Sequence, residues 1–240
     1  MNARRRFWLL TLTASLAVWA TLSLGRWQLA RAAQKQGIQA SIDQRRALAP
    51  LTNATLLALD NPLSELHRPV VLDGDWVPQH TVFLDNRPMN GKPGLYVVTP
   101  FRLVGTDAVF LVQRGWVARN FMDRTQLPAV STPQGRVQIQ GRIAPAPAKL
   151  YEFEGSQAGR IRQNLDPAAF ATESGLAVRP GAIAQLGDAS EGLQRQWPQV
   201  ATGVEKHHGY AFQWFALSGL IFILYVWFQI VRRFFLPRRV

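Results

Sequence analysis

Apolar and polar residues divide this chain of 240 residues into three blocks. Residues 7–25 and 209–231 are two uncharged apolar stretches, and the residues between them mix polar and apolar positions as a water-soluble domain does. At a rise of about 1.5 Å per residue, each stretch can cross or nearly cross a hydrocarbon layer roughly 30 Å thick. The pattern therefore predicts two transmembrane helices with one folded domain between them.

The middle block changes from a helical period to a strand period. Few helix breakers interrupt residues 26–46, so the first helix is expected to continue to residue 46, whereas the prolines and asparagines of residues 47–69 predict an irregular segment. Five later runs rich in Val, Phe, Tyr and Trp have the period of two that is typical of strands. These runs are residues 70–76, 81–86, 95–103, 108–117 and 136–143.

Short turns join most of these runs, which predicts an antiparallel meander that hides its edges by closing into a barrel or stacking as a sandwich. Asp166 followed by Pro167 is a typical helix start, so a short helix is expected at residues 168–173, and residues 182–186 are expected to form a last strand. The predicted fold class is an α+β membrane protein in which two transmembrane helices flank a mainly antiparallel, barrel- or sandwich-like β domain.

Basic residues at the two ends predict the orientation in the membrane. The tail arginines are Arg4, Arg5, Arg6, Arg232, Arg233, Arg238 and Arg239, with no acidic residue beside them. Because short Lys- and Arg-rich flanks stay on the cytoplasmic side, both termini are expected to be cytoplasmic. The predicted segments are a cytoplasmic N-terminus at 1–6, a first span at 7–25, an extracytoplasmic domain at 26–208, a second span at 209–231 and a cytoplasmic C-terminus at 232–240.

A cleaved signal peptide is the alternative interpretation of the first stretch, since Ala30, Arg31 and Ala32 offer a small-residue cleavage pattern. The apolar run is longer than the usual apolar region of such a signal, and Arg26 and Arg31 lie between its end and the cleavage point. A retained anchor is therefore favoured.

Composition excludes several classes of function. Seven of the basic residues behind the net charge of +12 are the tail arginines and the others are scattered, so nucleic-acid binding is not expected. The absence of cysteine excludes disulfides, thiolate metal sites and covalent c-type haem attachment on this chain. Without a nucleophile elbow, a phosphate-binding glycine loop or a His-Glu-x-x-His helix, an enzyme is not expected either.

Two histidines at the edge of the second apolar stretch are the best candidates for chemistry. On a helix, His207, Tyr210 and Trp214 share one face and His208 lies on the adjacent face. An imidazole beside an aromatic stripe at the membrane interface can ligate the iron of a haem. An ordinary aromatic belt gives the same pattern, and so the residues alone leave both interpretations open.

Basic residues near the outer end of the first helix extend the same ambiguity. Arg26, Arg31 and Lys35 can pair with the propionates of a haem or with lipid headgroups. Spacing does not decide between these two partners.

Five blocks, in order, resemble the surfeit-locus family of cytochrome c oxidase assembly factors. They are GRWQLAR at 25–31, LDNR and NGKPG within 84–94, VTPF at 98–101, VQRGWV at 112–117 and KHHGYAFQWF at 206–215. The resemblance implies a bacterial inner-membrane protein with two spans and a periplasmic β-rich domain that assists the maturation of haem-copper oxidases. Bacterial members of that family bind haem a.

The resemblance also implies which residues hold the cofactor. Those expected to contact haem a are His207, Tyr210, Trp214, Trp27 and Arg31. His207 matches the family histidine and is the expected iron ligand. His208 is the alternative, since this chain has a second histidine at a position where the family usually has another residue type. Trp116 and Gly115 are expected to serve sheet packing, and the residues around Arg87 to form a turn unless Arg87 faces a partner.

The functional hypothesis is an assembly factor that binds haem a and assists its insertion into the catalytic subunit. Its expected partners are cytochrome c oxidase subunit I, other oxidase assembly factors and the lipid bilayer. The alternative is a cofactor-free, membrane-anchored scaffold that binds oxidase subunits or other assembly proteins.

Overall fold

The computed structural model describes residues 3–120, 122–123, 126–147, 150, 159–198 and 203–235. The chain forms two compact units. Met1–Ser41 together with Val200–Val240 form the helical unit, and Ile42–Gln199 form the barrel unit. Residues 1, 2 and 236–240, which belong to the predicted cytoplasmic tails, lie outside the described residues.

Four α-helices occur in the described residues: α1 at Ala3–Arg46, α2 at Asn53–Leu57, α3 at Pro167–Ser174 and α4 at Val204–Tyr225. A π-helical segment, Val226–Phe235, continues α4. The predicted extension of the first helix to residue 46 is confirmed. Two helical stretches, Arg4–Arg46 and Val204–Arg233, are long and apolar enough to cross a membrane, judged by length and composition.

The described residues of the barrel unit form seven strands. They are β1 at Pro69–Trp76, β2 at Val82–Leu84, β3 at Gly94–Leu103, β4 at Ala108–Ala118, β5 at Val137–Ala144, β6 at Ile161–Arg162 and β7 at Ala177–Gln185. Strands β1, β5, β7, β4 and β3 pair in that order, and β1 also pairs with β3, so these five strands close a barrel. The pairs β4–β7 and β2–β6 are parallel and the others are antiparallel, which confirms a mainly antiparallel domain in barrel form.

The expected simple meander is wrong. Strand β7 lies between β4 and β5, so these two consecutive strands are not neighbours. It begins at Ala177, earlier than predicted, and runs parallel to β4. Whether a strand runs parallel to its neighbour depends on the connection that leads into it, which for β7 contains α3. The hydrophobic period of a strand carries no information about which strand it pairs with.

The segment expected to be irregular, residues 47–69, contains α2 and a short 3-10 helix at Pro62–Glu65. Thr52 caps α2 in a capping box, and the side chain of Asn61 accepts a hydrogen bond from the amide of Leu63 at 3.0 Å. Asn61, one of the residues that predict a break, therefore acts here as a helix cap, as Thr52 does. The helix start predicted at Asp166 is confirmed, since its carboxylate accepts from the first amides of α3.

The barrel encloses an apolar core. Its largest members come from the five strands of the barrel and include Leu72, Trp76, Phe101, Phe110, Ile143 and Ile183. Trp76 and Phe101 meet edge to face with ring centroids 4.8 Å apart. Alternate residues of each strand supply these side chains, as the period of two requires.

Arg114 is a fully enclosed cation of this unit. The Arg114 side chain is 0% exposed, and its guanidinium carbon lies 4.6 Å from the centroid of the Trp76 ring. It pairs with Glu191 at 2.6 Å and donates to the Ser131 carbonyl oxygen at 2.7 Å. These partners compensate for the loss of hydration of the buried charge.

The residues of the two central sequence blocks serve packing and turn formation, as predicted. Gly115 approaches Leu193 so closely that a Cβ atom added to it would lie 2.7 Å from the Leu193 Cβ. Trp116 is buried and donates its indole N–H to the Arg87 carbonyl oxygen at 2.6 Å. Asn90 and Gly91 both have positive φ angles, which makes the tight two-residue turn that favours Asn-Gly.

Candidate functional site

The helical unit is built on an antiparallel seam between α1 and α4. The Thr11 and Tyr225 hydroxyl oxygens lie 2.8 Å apart, and the Ser218 hydroxyl donates to the Val18 carbonyl oxygen at 3.5 Å. On α4 the least exposed residues recur at spacings of three and four: Val204, His207, Ala211, Trp214, Ser218, Ile221 and Tyr225. The same spacing on α1 includes Phe7, Thr11, Ala14, Val18, Thr21, Gly25, Gln28, Ala32 and Lys35. This is the spacing by which two helices pack along a narrow stripe.

Small residues allow the two helices to approach each other. A Cβ atom added to Gly25 would lie 2.6 Å from the Phe215 ring, well inside van der Waals contact. Ala32 and Ala211 are buried on the same stripes. Close approach through small residues is how helices associate in lipid, where the hydrophobic effect contributes little between them.

His207 is fixed by a hydrogen bond across this seam. Its Nδ1 atom lies 2.7 Å from Oε1 of Gln28 on α1. An amide oxygen can only accept, so Nδ1 carries the proton and the lone pair of the imidazole is on Nε2. A histidine held in this way has one ring nitrogen ready for a metal, and the partner fixes the orientation of the ring.

Gln28 is the residue that sequence reasoning missed. It lies inside the GRWQLAR block, between the predicted residues Trp27 and Arg31, but a neutral amide is not a typical ligand or ion-pair partner. The available signal was its place on the three-and-four spacing of α1, three residues after Gly25. A search for the residues that face the second helix would have found it.

The other predicted residues lie close to this seam along the two helices. Trp214 lies on the seam and is half-buried, whereas Tyr210 is 50% exposed and His208 is exposed. On α1, Trp27 is 56% exposed. Arg31 is exposed and donates from Nη1 to Oε1 of Gln34 at 2.7 Å.

These side chains share one flank of the helix pair. At about 100° per residue, Trp27 and Arg31 are displaced to the same side of Gln28, and Tyr210 is displaced from His207. Because α1 and α4 are antiparallel, the two displacements point to the same side of the seam. The helical unit therefore brings an imidazole, aromatic rings and a guanidinium together, with much of the aromatic surface uncovered.

Most of the charged side chains at this end of the helix pair are basic, and Glu205 in the first turn of α4 is acidic. Arg31 and Lys35 are both on α1 within two turns of Gln28, and the Lys35 ammonium lies 3.8 Å from the position that a Cβ atom would take at Gly203. Within the described ranges, no group of three or more His, Asp or Glu residues could hold a metal ion. These side chains therefore suit a ligand that is coordinated by one imidazole and carries anionic substituents of its own.

Comparison with known proteins gives one family. The model of the SURF1 family matches residues 15–219, a range that includes Gln28 and His207. The SURF1-like protein of Rickettsia felis is 28% identical over 213 residues, covering 85% of this chain and 90% of that protein. The SURF1-like protein of Drosophila melanogaster is 24% identical over 243 residues, covering 89% and 75% respectively. The cytochrome oxidase assembly protein SHY1 of Saccharomyces cerevisiae is 27% identical over 113 residues, covering 46% of this chain and 29% of SHY1.

Proposed function

The chain belongs to the SURF1 family, and from that premise we propose that it is a membrane-anchored assembly factor for cytochrome oxidase. The name of SHY1 as a cytochrome oxidase assembly protein supports this role. The partners are oxidase subunits, subunit I among them, and other assembly proteins in the same bilayer. The role is one of binding and delivery, and it needs no catalytic residue.

Within this role, the helical unit holds haem a as cargo for insertion into subunit I. The observation that carries this proposal is the hydrogen bond between His207 and Gln28, which leaves Nε2 of the imidazole available to iron. The exposed rings of Trp27 and Tyr210, with Trp214 on the seam, offer apolar surface to the macrocycle. Arg31 on the same flank is the expected partner of a propionate.

The open flank suits delivery of the haem. A site that keeps its small-molecule ligand usually buries roughly 70–90% of the ligand's surface in a preformed cavity. Here about half of the Trp27 and Tyr210 surfaces is uncovered, and a single imidazole is the iron ligand. A group whose iron has one protein ligand and which lies on an open surface can be passed to a subunit that offers a closed site.

The location that fits this role is the bacterial inner membrane, with both termini in the cytoplasm and the barrel unit in the periplasm. The two long apolar helices support two spans. Arg4, Arg5 and Arg6 before the first apolar stretch, and Arg232 and Arg233 after the second, support the orientation.

Haem content tests the cargo directly. The full chain is purified from cells that make haem a, as wild type, His207→Ala and His208→Ala, and haem per chain is measured by absorbance. We expect the wild type and His208→Ala to carry haem and His207→Ala to lose most of it. Gln28→Leu should lie between them, because it removes only the bond that orients the imidazole. Equal haem in wild type and all three variants would reject the site.

Oxidase assembly separates this role from that of a cofactor-free scaffold. In a strain that lacks the gene, the haem a absorbance of the membranes is compared after expression of wild type and His207→Ala. We expect His207→Ala to restore clearly less oxidase. Full restoration by His207→Ala, together with a colourless purified wild type, would favour the scaffold.

A further inference from the structure

A cavity of about 360 Å³ opens on the outer face of the barrel, within the barrel unit. Its floor follows from the strand registers. Arg142 of β5 is paired with Ala184 of β7, and Ala184 is paired with Gln113 of β4. The residues next to them, Ile143, Ile183 and Val112, belong to the barrel core. Because side chains alternate along a strand, the three residues of this row point outwards together, and the small Ala184 leaves a hollow between the two longer side chains.

A second arginine reaches the same cavity from the loop after β2. Arg87 is only 6% exposed and donates from Nη2 to the Gln163 carbonyl oxygen at 2.8 Å. Its guanidinium carbon lies 6.0 Å from the centroid of the Tyr96 ring, which also lines the cavity. This loop therefore does more than form a turn, since it also places the buried Arg87 side chain in the wall of the cavity.

The two arginines of this cavity lack the partners that buried cations usually have. The Nε atoms of Arg87 and Arg142 are both buried and without a hydrogen-bond partner. Across the described ranges, neither side chain forms an ion pair with a carboxylate, whereas Arg114, Arg119 and Arg162 of the same unit each have one. Burial lowers the pKa of Arg87 and of Arg142 below the usual arginine value, since it disfavours the charged form.

The rest of the lining is mostly apolar. Prolines and alanines predominate, and Trp197 meets Tyr96 edge to face with ring centroids 5.2 Å apart. The amide of Gln113 is already occupied, because it donates to the Pro145 carbonyl oxygen at 3.3 Å. Among the lining residues, the buried side-chain polar atoms without a hydrogen-bond partner are the Nε donors of Arg87 and Arg142, and they lie beside apolar walls that would exclude water from a bound group.

We propose that this cavity binds a carboxylate carried on an apolar or aromatic body, with Arg87 and Arg142 as its anchors. Guanidinium groups match the planar geometry of a carboxylate and are less strongly hydrated than ammonium groups, so they serve well in a partly buried site. The prolines, alanines and aromatic rings would pack on the body of the ligand. A free organic acid and an acidic side chain of a docked polypeptide offer the same chemistry. The site belongs to the barrel unit and does not depend on haem binding.

Titration calorimetry on the full chain in detergent tests the site with defined probes. 3-Phenylpropionate is compared with its uncharged amide, and the capped dipeptide acetyl-Phe-Glu-amide with acetyl-Phe-Gln-amide. We expect each carboxylate to bind about tenfold or more tightly than its amide, as a charge-assisted pair in a partly buried site would give. A tighter dipeptide indicates a polypeptide ligand, and a tighter phenylpropionate indicates a free acid; both support the shared chemistry.

Three variants separate the site from nonspecific charge effects. Arg142→Gln should weaken carboxylate binding about tenfold, and Ala184→Leu should abolish it by filling the hollow without changing charge. Arg102→Gln removes an exposed arginine of β3 and should leave binding unchanged. The proposal is overturned if carboxylate and amide bind alike, if neither binds, if inorganic phosphate alone binds, or if Arg102→Gln weakens binding as much as Arg142→Gln. Thermal unfolding of each variant verifies that the barrel is folded. If Arg142→Gln does not fold, the loss of carboxylate binding in Ala184→Leu tests the proposal instead.

Discussion

The helical unit and the barrel unit keep their large hydrophobic side chains in opposite places. In the barrel unit, Phe101 and Phe110 are buried among other apolar side chains. In the helical unit, Trp19 is 69% exposed and Phe212 is 73% exposed. Burial of apolar surface drives folding only where the alternative is water, so the barrel is organised for an aqueous surrounding and the helices for lipid.

Their buried polar groups differ in the same sense. The barrel unit encloses charged arginines, and Arg114 is compensated by a carboxylate. Among the described residues, the buried polar side chains of the helical unit are hydroxyls instead: Thr21 donates to the Ala17 carbonyl oxygen at 2.8 Å and Ser218 to the Val18 carbonyl oxygen at 3.5 Å. The half-buried amide of Gln28 bonds His207. In lipid, neutral groups that bond the backbone or each other are far less costly than charges. What stabilises one unit is therefore expected to leave the other unaffected.

The largest expected effect is the loss of core packing in the barrel. Phe101→Ala should lower the free energy of unfolding of the barrel by about 3–5 kcal/mol, because it empties a fully buried site against Trp76. Phe212→Ala on α4 is the matched control and should leave barrel unfolding unchanged. Tryptophan fluorescence during chemical denaturation measures both, and similar losses in the two variants would contradict the contrast between the units.

Removing the carboxylate that faces the enclosed arginine should come next. Glu191→Gln leaves Arg114 buried with a weaker acceptor, and it should cost about 1.5–3 kcal/mol of barrel stability, the value of a hydrogen bond to a charged group. The same denaturation experiment measures the loss. A change below about 0.5 kcal/mol, the range of an ordinary surface substitution, would show that the pair does not support the barrel.

Overpacking the helix seam should separate α1 from α4 without affecting the barrel. Gly25→Leu places a side chain where the Phe215 ring lies, and overpacking of this kind costs roughly 1–3 kcal/mol. Gly219→Leu is the control, because a Cβ atom there meets nothing within 4 Å.

The native chain contains no cysteine, so the seam can be measured by cross-linking. The Ser218 hydroxyl donates to the Val18 carbonyl oxygen across the seam, so these two positions are close. Each is replaced by cysteine, and the two cysteines are joined by a short bifunctional maleimide. Gly25→Leu should reduce the cross-linked fraction several-fold, and Gly219→Leu should not. Equal cross-linking in both backgrounds would disprove the close approach at Gly25.

The smallest expected effect comes from the ion pair between the buried Arg162 and Glu173, whose side chain is 53% exposed. A hydrogen bond from Arg162 holds the pKa of Glu173 below its ordinary value of 4.5. The stabilisation is therefore present above pH 4.5 and is lost as the pH falls through the lowered pKa of the folded state. Glu173→Gln should cost less than about 1 kcal/mol at pH 7, since the carboxylate is largely solvated. Its difference from wild type should vanish in acid; a difference that persists at pH 2–3 would assign the effect to something other than charge.

The sequence predicted what is local and missed what is distant. The predicted strand runs and the cap at Asp166 follow from neighbouring residues and were found, whereas the two-residue strand β6 was missed. The parallel pairing of β7 with β4 depends on a contact across many residues and was missed. At the candidate site, the histidine and aromatic residues carry recognisable chemistry, whereas Gln28 has meaning only once the partner helix is known.

The most direct test of the contrast between the units is to locate each relative to the bilayer. Single cysteines replace Gln134, an exposed residue of the barrel unit, and Ala3 in the N-terminal tail, and spheroplasts are treated with a membrane-impermeant maleimide. We predict that the cysteine at position 134 reacts in intact spheroplasts and that the one at position 3 reacts only after the membrane is permeabilised. Labelling in the reverse order would place the barrel in the cytoplasm and contradict the two-span arrangement proposed for haem delivery.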